Sequence, residues 1–337
     1  MIWWYALGYF AAYVPYSALT KATSAGWIDP TMAVPGPTIL PLSVAVSTVG
    51  MFTFLWAMGW FKYAGRRTIF GRSVPMPSQW PLLSGLSVAT IIVTTTLAYT
   101  FEGISIIFAM LLMRGGLLLL APVIDVLTGR EVKWNALLAS GFALSALVVA
   151  FADSGQYTLS TEATVTIAIY LSAYFLRLQL MTRVAKTTDR AKNLRFFAEE
   201  QMTATPVVLL VLIIVATLGT GGFADQIGDG FTTIWSSGPT IILAVIGIGL
   251  FSQFTGIFGG LVLLDPAPNA FCVPVNRSSS ILAGVAATYA LSLLADGNPP
   301  TSTQLIGAGL VVVAILCLSY PLLAARLAQR REATSPD

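Results

Sequence analysis
Apolar runs of about twenty residues alternate with short polar turns along almost the whole chain, and ten such runs are predicted as membrane-spanning helices. The first covers Ile2 to Thr20, with a kink expected at Pro15, and the second Thr38 to Trp60. The third is Trp80 to Phe101, and a tight turn at Glu102-Gly103 leads into the fourth, which ends at Leu127. After the polar turn Thr128 to Lys133 the fifth runs to Ala152. The second half follows the same plan. Its runs are Ala163 to Thr182, Gln201 to Leu218, Pro239 to Leu264, one ending at Leu294 and one ending at Ala325.

Within this pattern one stretch returns. Glu102, Phe108 and Arg114 lie six residues apart, and Asp265, Phe271 and Arg277 repeat the spacing 163 residues later without a gap. Each copy follows one apolar run and opens the next, so the match reads as an internal duplication. The halves are 1–155 and 156–327, followed by a tail at 328–337. Five spans per half is an odd number, so the second half enters the membrane from the opposite side. Inverted repeats of this kind place a binding site near the midplane, at the interface of the halves.

Composition supports a membrane setting. Of the 337 residues 56% are hydrophobic and only 10% are charged, against roughly a quarter charged in soluble proteins. The net charge of +3 does not point to nucleic acid, because 14 of the 18 Lys and Arg fall in loops or the tail that one orientation gathers on a single side. Basic residues near span ends stay cytoplasmic, so both termini are expected inside, in a plasma or bacterial inner membrane. The partners expected are the lipid bilayer and a small-molecule substrate, with the chain a monomer or homodimer. Histidine is absent, which removes Ser-His and Cys-His catalysis and histidine metal sites. No cofactor or metal is expected, and no Gly-x4-Gly-Lys phosphate loop occurs.

The chain resembles the drug/metabolite transporter superfamily in its ten-helix EamA-type form. The resemblance is carried by Arg114-Gly-Gly-Leu-Leu-Leu-Leu-Ala-Pro122 with Thr128-Gly-Arg-Glu-Val-Lys-Trp134, and by Pro274-Val-Asn-Arg277 with the turn from Ala295 to Gly307. It implies an all-α protein of two inverted five-helix repeats around a central cavity, transporting small organic solutes.

Buried charge marks the candidate site, since intramembrane ionisable residues are costly and rarely idle. Arg114 is eleven residues into its span, too deep to snorkel easily, and suits a carboxylate or phosphate. Arg277 is its counterpart. Arg177, six residues before Arg183, is expected to snorkel to the interface. Tyr13 and Tyr174 align between the halves and join Tyr9, Tyr16 and Tyr170 as cavity-lining candidates. Gln253 is a further polar candidate, beside a small-residue face at Gly256 and Gly260. Glu199 and Glu200 are candidates for ion coupling, or acids placed favourably at a helix start. Glu102 and Asp265 suit turn caps, and Asp125 a pairing with Arg130.

The function these features favour is secondary transport of a small organic anion, not enzymatic. A lipid or lipid-phosphate translocase is the alternative within the class. A membrane-embedded enzyme and a scaffold are the readings outside it.

Overall fold
The computed structural model describes residues 1–29, 32–69, 71–98, 106–151, 161–295 and 299–334. Among them the protein is all-α apart from one small hairpin. The helices are α1 (Ile2–Ser24), α2 (Gly36–Ala57), α3 (Gln79–Ala98), α4 (Ile106–Leu127), α5 (Trp134–Phe151), α6 (Thr161–Val184), α7 (Arg190–Leu218), α8 (Gly222–Phe231), α9 (Pro239–Leu263), α10 (Asn269–Leu294) and α11 (Ser302–Thr334). Four are long and apolar enough to cross a membrane by length and composition: α2, α6 over Ala163–Val184, α7 and α9. Shorter apolar stretches lie in α3 and α11. Glu102, expected to cap a turn, falls outside the described residues.

Three features were not legible in the apolar runs. Helix α7 starts at Arg190 instead of Gln201, because the Asp189 carboxylate caps it, accepting from the backbone N–H groups of Ala191 at 2.9 Å and Lys192 at 3.4 Å. The expected loop between α2 and α3 holds two antiparallel strands, β1 (Arg66–Ile69) and β2 (Arg72–Pro75). The Gly-rich stretch after α7 contains α8, whose Ala224, Ile227 and Gly230 are buried while Asp225 and Asp229 are exposed. Gly230 is required there: a Cβ would come within 2.5 Å of the Thr38 carbonyl on α2.

Helix contacts come in matched sets. Helix α1 packs on α9 and α6 on α3; α2 packs on α9 and α7 on α3. Likewise α1 meets α10 while α6 meets α4, and α5 meets α4 while α11 meets α10. Helices α5 and α11, α2 and α7, and α4 and α10 pack directly on one another. Most of these contacts run between residues 1–155 and 156–327, so the two halves interdigitate instead of forming separate globules.

Close approach is set by glycine, but not by the pair expected. Gly256 is exposed and a Cβ there would meet nothing within 4 Å. The tight contact lies two turns earlier on the same stripe, at Gly249, where a Cβ would come within 2.6 Å of the Ser43 carbonyl of α2. Gly260 does face the core, 3.0 Å from the Phe197 ring by the same measure.

Candidate functional site
Two tyrosine–arginine pairs stand on matched helices. On one side Arg114 of α4 donates from Nη2 to the Tyr13 hydroxyl of α1 at 2.9 Å. On the other, Arg277 of α10 donates from Nη2 to the Tyr174 hydroxyl of α6, also at 2.9 Å. The guanidinium carbons lie 6.0 Å and 5.3 Å from the centres of the same tyrosine rings, within cation–π range. Tyrosine suits this place because its ring packs in an apolar bundle while its hydroxyl accepts from a cation.

Helical periodicity extends each pair into an aromatic stripe. Tyr9, Tyr13 and Tyr16 recur at three- and four-residue spacing along α1, with ring centres 5.6 Å apart at each step. Tyr170 and Tyr174 do the same on α6 at 4.9 Å. Tyr9 joins the two sides, since it lies within electrostatic reach of Arg114, Arg277, Tyr13 and Tyr174 together. Gly259 of α9 leaves the room Tyr9 needs; a Cβ would sit 3.0 Å from its ring. Asn276 fastens the same spot by donating from Nδ2 to the Gly259 carbonyl at 3.3 Å.

Arg277 holds unused capacity. It is 7% exposed, yet its Nε–H has no partner among the described residues, and neither does the adjacent Ser278 hydroxyl. No described carboxylate lies within ion-pair distance of it. A buried guanidinium with a spare donor is chemically matched to an oxyanion, since two N–H groups of one fork meet the two oxygens of a carboxylate or phosphate.

Near these pairs lies an ion pair that the apolar pattern does not reveal. Arg177 does not snorkel: it is 7% exposed and meets the fully buried Glu200 in a two-pronged contact, Nε to Oε1 at 3.0 Å and Nη2 to Oε2 at 2.9 Å. Ser84 of α3 donates its hydroxyl to the same carboxylate, and Gln201 adds Nε2 at 3.4 Å. The two residues stand on either side of the α6–α7 turn, Arg177 before the end of α6 at Val184 and Glu200 after the start of α7 at Arg190. No local pattern marks the two as partners; the packing of α6 against α7 brings them together. Electrostatically Arg177 reaches Tyr174 and Arg277, so the pair borders the site.

Glu199 has a different place. Its Oε1 accepts from the Gly65 N–H at 2.8 Å and from Arg195 Nε at 2.8 Å, and its Oε2 from the N–H of Ser78 at 2.7 Å and from the Ser78 hydroxyl. It staples both ends of the α2–α3 loop to the third turn of α7. Gln253 also stands apart from the arginines. Its Oε1 accepts from Ser47 at 3.2 Å and its Nε2 approaches Met51 Sδ at 3.1 Å, tying α9 to α2.

A second polar cluster joins α4, α6 and α10. Asp125 caps α10, with Oδ1 accepting from the Asn269 backbone at 2.8 Å and side chain at 2.9 Å, and Oδ2 from Ala270 N at 2.6 Å. Its expected partner Arg130 instead donates to the carbonyls of Pro266 at 2.8 Å and Lys186 at 3.1 Å. Lys186 is buried and donates to Asn269 Oδ1 at 3.0 Å. Asp265 does cap its turn, accepting from Ala267 N at 3.1 Å.

No protein-family model and no curated protein matches the chain. Among solved structures it is similar to a protein of known crystal structure, at 17% identity and a TM-score of 0.62, over 96% of this chain and 98% of the other. That likeness establishes a shared fold across the full length of both chains.

Proposed function
We propose that this protein is a secondary transporter of ten spans, arranged as two inverted five-helix repeats, which moves a small organic anion by alternating access. The observation that carries the reading is Arg277: a buried cation with a spare donor, beside a tyrosine hydroxyl, on a helix whose counterpart presents the same pair at Arg114 and Tyr13. The paired helix contacts support the repeat, because an inverted duplication generates each contact twice. Tyr9, in reach of both arginines, is where the two half-sites meet. With no phosphate loop in the sequence, the driving force is a gradient or exchange.

The lipid translocase reading has one observation of its own. A groove of about 340 Å³ on the α4–α5 face is lined by Pro122, Val123, Val126, Leu127, Val132 and Leu137. It is wholly apolar and includes none of the tyrosine–arginine residues, so an anionic headgroup there would lack a cation. The metabolite reading therefore stands first.

The test is a panel of small carboxylates, phosphates and neutral analogues screened by thermal shift on purified protein, because a ligand of the folded state raises apparent stability. Anions should stabilise the protein and their neutral amides should not. Arg277→Ala should abolish the shift while keeping a cooperative melt. A panel in which only neutral or cationic compounds stabilise the protein would refute the anion assignment.

A further inference from the structure
The hairpin between α2 and α3 is unused by the transport site, and its construction points to a ligand. The segment from Phe61 to Gln79 carries Lys62, Arg66, Arg67 and Arg72 and no acid. Its strands pair Arg67 with Val74 and Ile69 with Arg72. Side chains alternate across a strand and oppose each other across a ladder, so Arg67, Arg72 and Val74 share one face. All three are exposed, Val74 at 38%. A face of two arginines around an exposed valine combines cationic heads with an apolar foot, the composition that settles at a membrane surface.

The position of the hairpin fits that surface. Trp56 on α2 and Trp80 on α3 bracket it and are 76% and 48% exposed, as rings at headgroup level are. The hairpin is also held firmly, since Glu199 fastens Gly65 before it and Ser78 after it to α7. A solvated charge run would need neither that staple nor an apolar residue between its arginines.

We propose that this hairpin face is a binding surface for anionic lipid headgroups. It rests on the reading that α2 and α3 cross the bilayer. Juxtamembrane cations gain free energy near an anionic leaflet, and each arginine should contribute about a fivefold preference for anionic over zwitterionic lipid. Through Glu199 the bound lipid would fix the third turn of α7, one residue from Glu200.

The experiment uses the full chain with Cys272→Ser and Cys317→Ser, carrying Val74→Cys labelled with an environment-sensitive fluorophore. It is reconstituted in nanodiscs of phosphatidylcholine, with phosphatidylglycerol replacing it stepwise up to equal parts. Emission should rise and shift to the blue as phosphatidylglycerol increases, and salt should reverse the change. Arg67→Gln and Arg72→Gln should each weaken the lipid preference about fivefold, and together abolish the response. Emission that ignores phosphatidylglycerol in an inserted protein, or a double variant as responsive as the parent, overturns the proposal. A chain that high salt and carbonate strip from the bilayer fails the membrane reading itself, and with it the proposal.

Discussion
The Arg177 guanidinium and the Glu200 carboxylate close on each other through two hydrogen bonds, at 3.0 and 2.9 Å, and join α6 to α7 where α3 packs against both. Removing one partner leaves the other buried and uncompensated, which costs about 3–5 kcal/mol. Glu200→Gln should therefore destabilise the protein strongly. Replacing both residues by methionine should recover most of that loss, since an apolar pair of similar volume needs no desolvation. Thermal melts of the two single variants and the double variant in one detergent check this. Additive losses in the double variant would mean that the two side chains act independently.

Glu199 predicts a local effect instead. Its four bonds hold Gly65, Ser78 and Arg195, so Glu199→Gln should release the hairpin while leaving the bundle intact. A hydrogen bond to a charged group is worth about 1.5–3 kcal/mol. Limited trypsin cleavage at Arg66, Arg67 and Arg72 should accelerate more than tenfold, with cleavage at Arg183 unchanged. Equal acceleration at every site would show global loosening, not release of a staple.

These two neighbours show what a sequence can and cannot reveal here. Apolar runs, basic loops and the spacing of Arg114 and Arg277 are local or periodic, and they single out Arg114, Arg277, Tyr13 and Tyr174 one by one; that each arginine donates to one of these tyrosines comes from the fold. Glu199 and Glu200 are adjacent letters with indistinguishable local signals. Successive residues on a helix point about a hundred degrees apart, so one carboxylate meets a loop and the other a buried arginine. Snorkelling is the default for a cation near a span end such as Arg177, and only the fold shows that Glu200 lies within its reach. Hairpin and α8 were hidden for another reason. Both are short polar elements held by tertiary contacts, Glu199 for one and the packing of Ala224, Ile227 and Gly230 against α2 for the other, rather than by their own periodicity.

Lys186 makes stability depend on pH. Burial among α4, α6 and α10 pushes its ammonium below the ordinary value of 10.5, against the opposing pull of Cys272 and Asp125, and Arg130 nearby pushes the same way as burial. A lysine whose folded pKa is depressed binds fewer protons folded than unfolded, so stability rises with pH between the folded value and 10.5. Lys186→Met removes that contribution. Its stability relative to the parent should be highest at neutral pH and fall as pH climbs toward 10.5. A difference in melting temperature that stays flat over the alkaline range would mean that the lysine is not penalised by burial.

Asp125 caps α10 across the boundary between the halves, accepting two backbone N–H groups and one amide. Asp125→Asn keeps the shape but loses the charge at the helix N-terminus, and turns an acceptor into a donor facing N–H groups. The expected loss is about 1.5–3 kcal/mol. It should appear as faster hydrogen exchange in the first turns of α10, ahead of global unfolding. Unchanged exchange there would show that the cap is dispensable.

Tyr13–Arg114 and Tyr174–Arg277 should behave as equivalent half-sites. In each, the hydroxyl accepts from Nη2 at 2.9 Å and the ring lies beneath the guanidinium, so the tyrosine fixes the direction in which the fork points. Tyr→Phe keeps the ring and removes only the acceptor, while Arg→Lys keeps the charge and removes the planar fork. A stabilising anion found in the thermal-shift panel supplies the readout. Each Tyr→Phe change should weaken its binding by roughly three- to tenfold through loss of orientation, and each Arg→Lys change by ten- to a hundredfold, from the 1.5–3 kcal/mol of a charged hydrogen bond. The combined variant within a pair should be no worse than Arg→Lys alone, because a lysine has no fork left to orient. Variants combined across the pairs should instead multiply their losses. If Tyr174→Phe and Arg277→Lys multiply as freely as Tyr174→Phe and Arg114→Lys, the hydroxyl does not position the guanidinium, and the half-site description fails at its central contact.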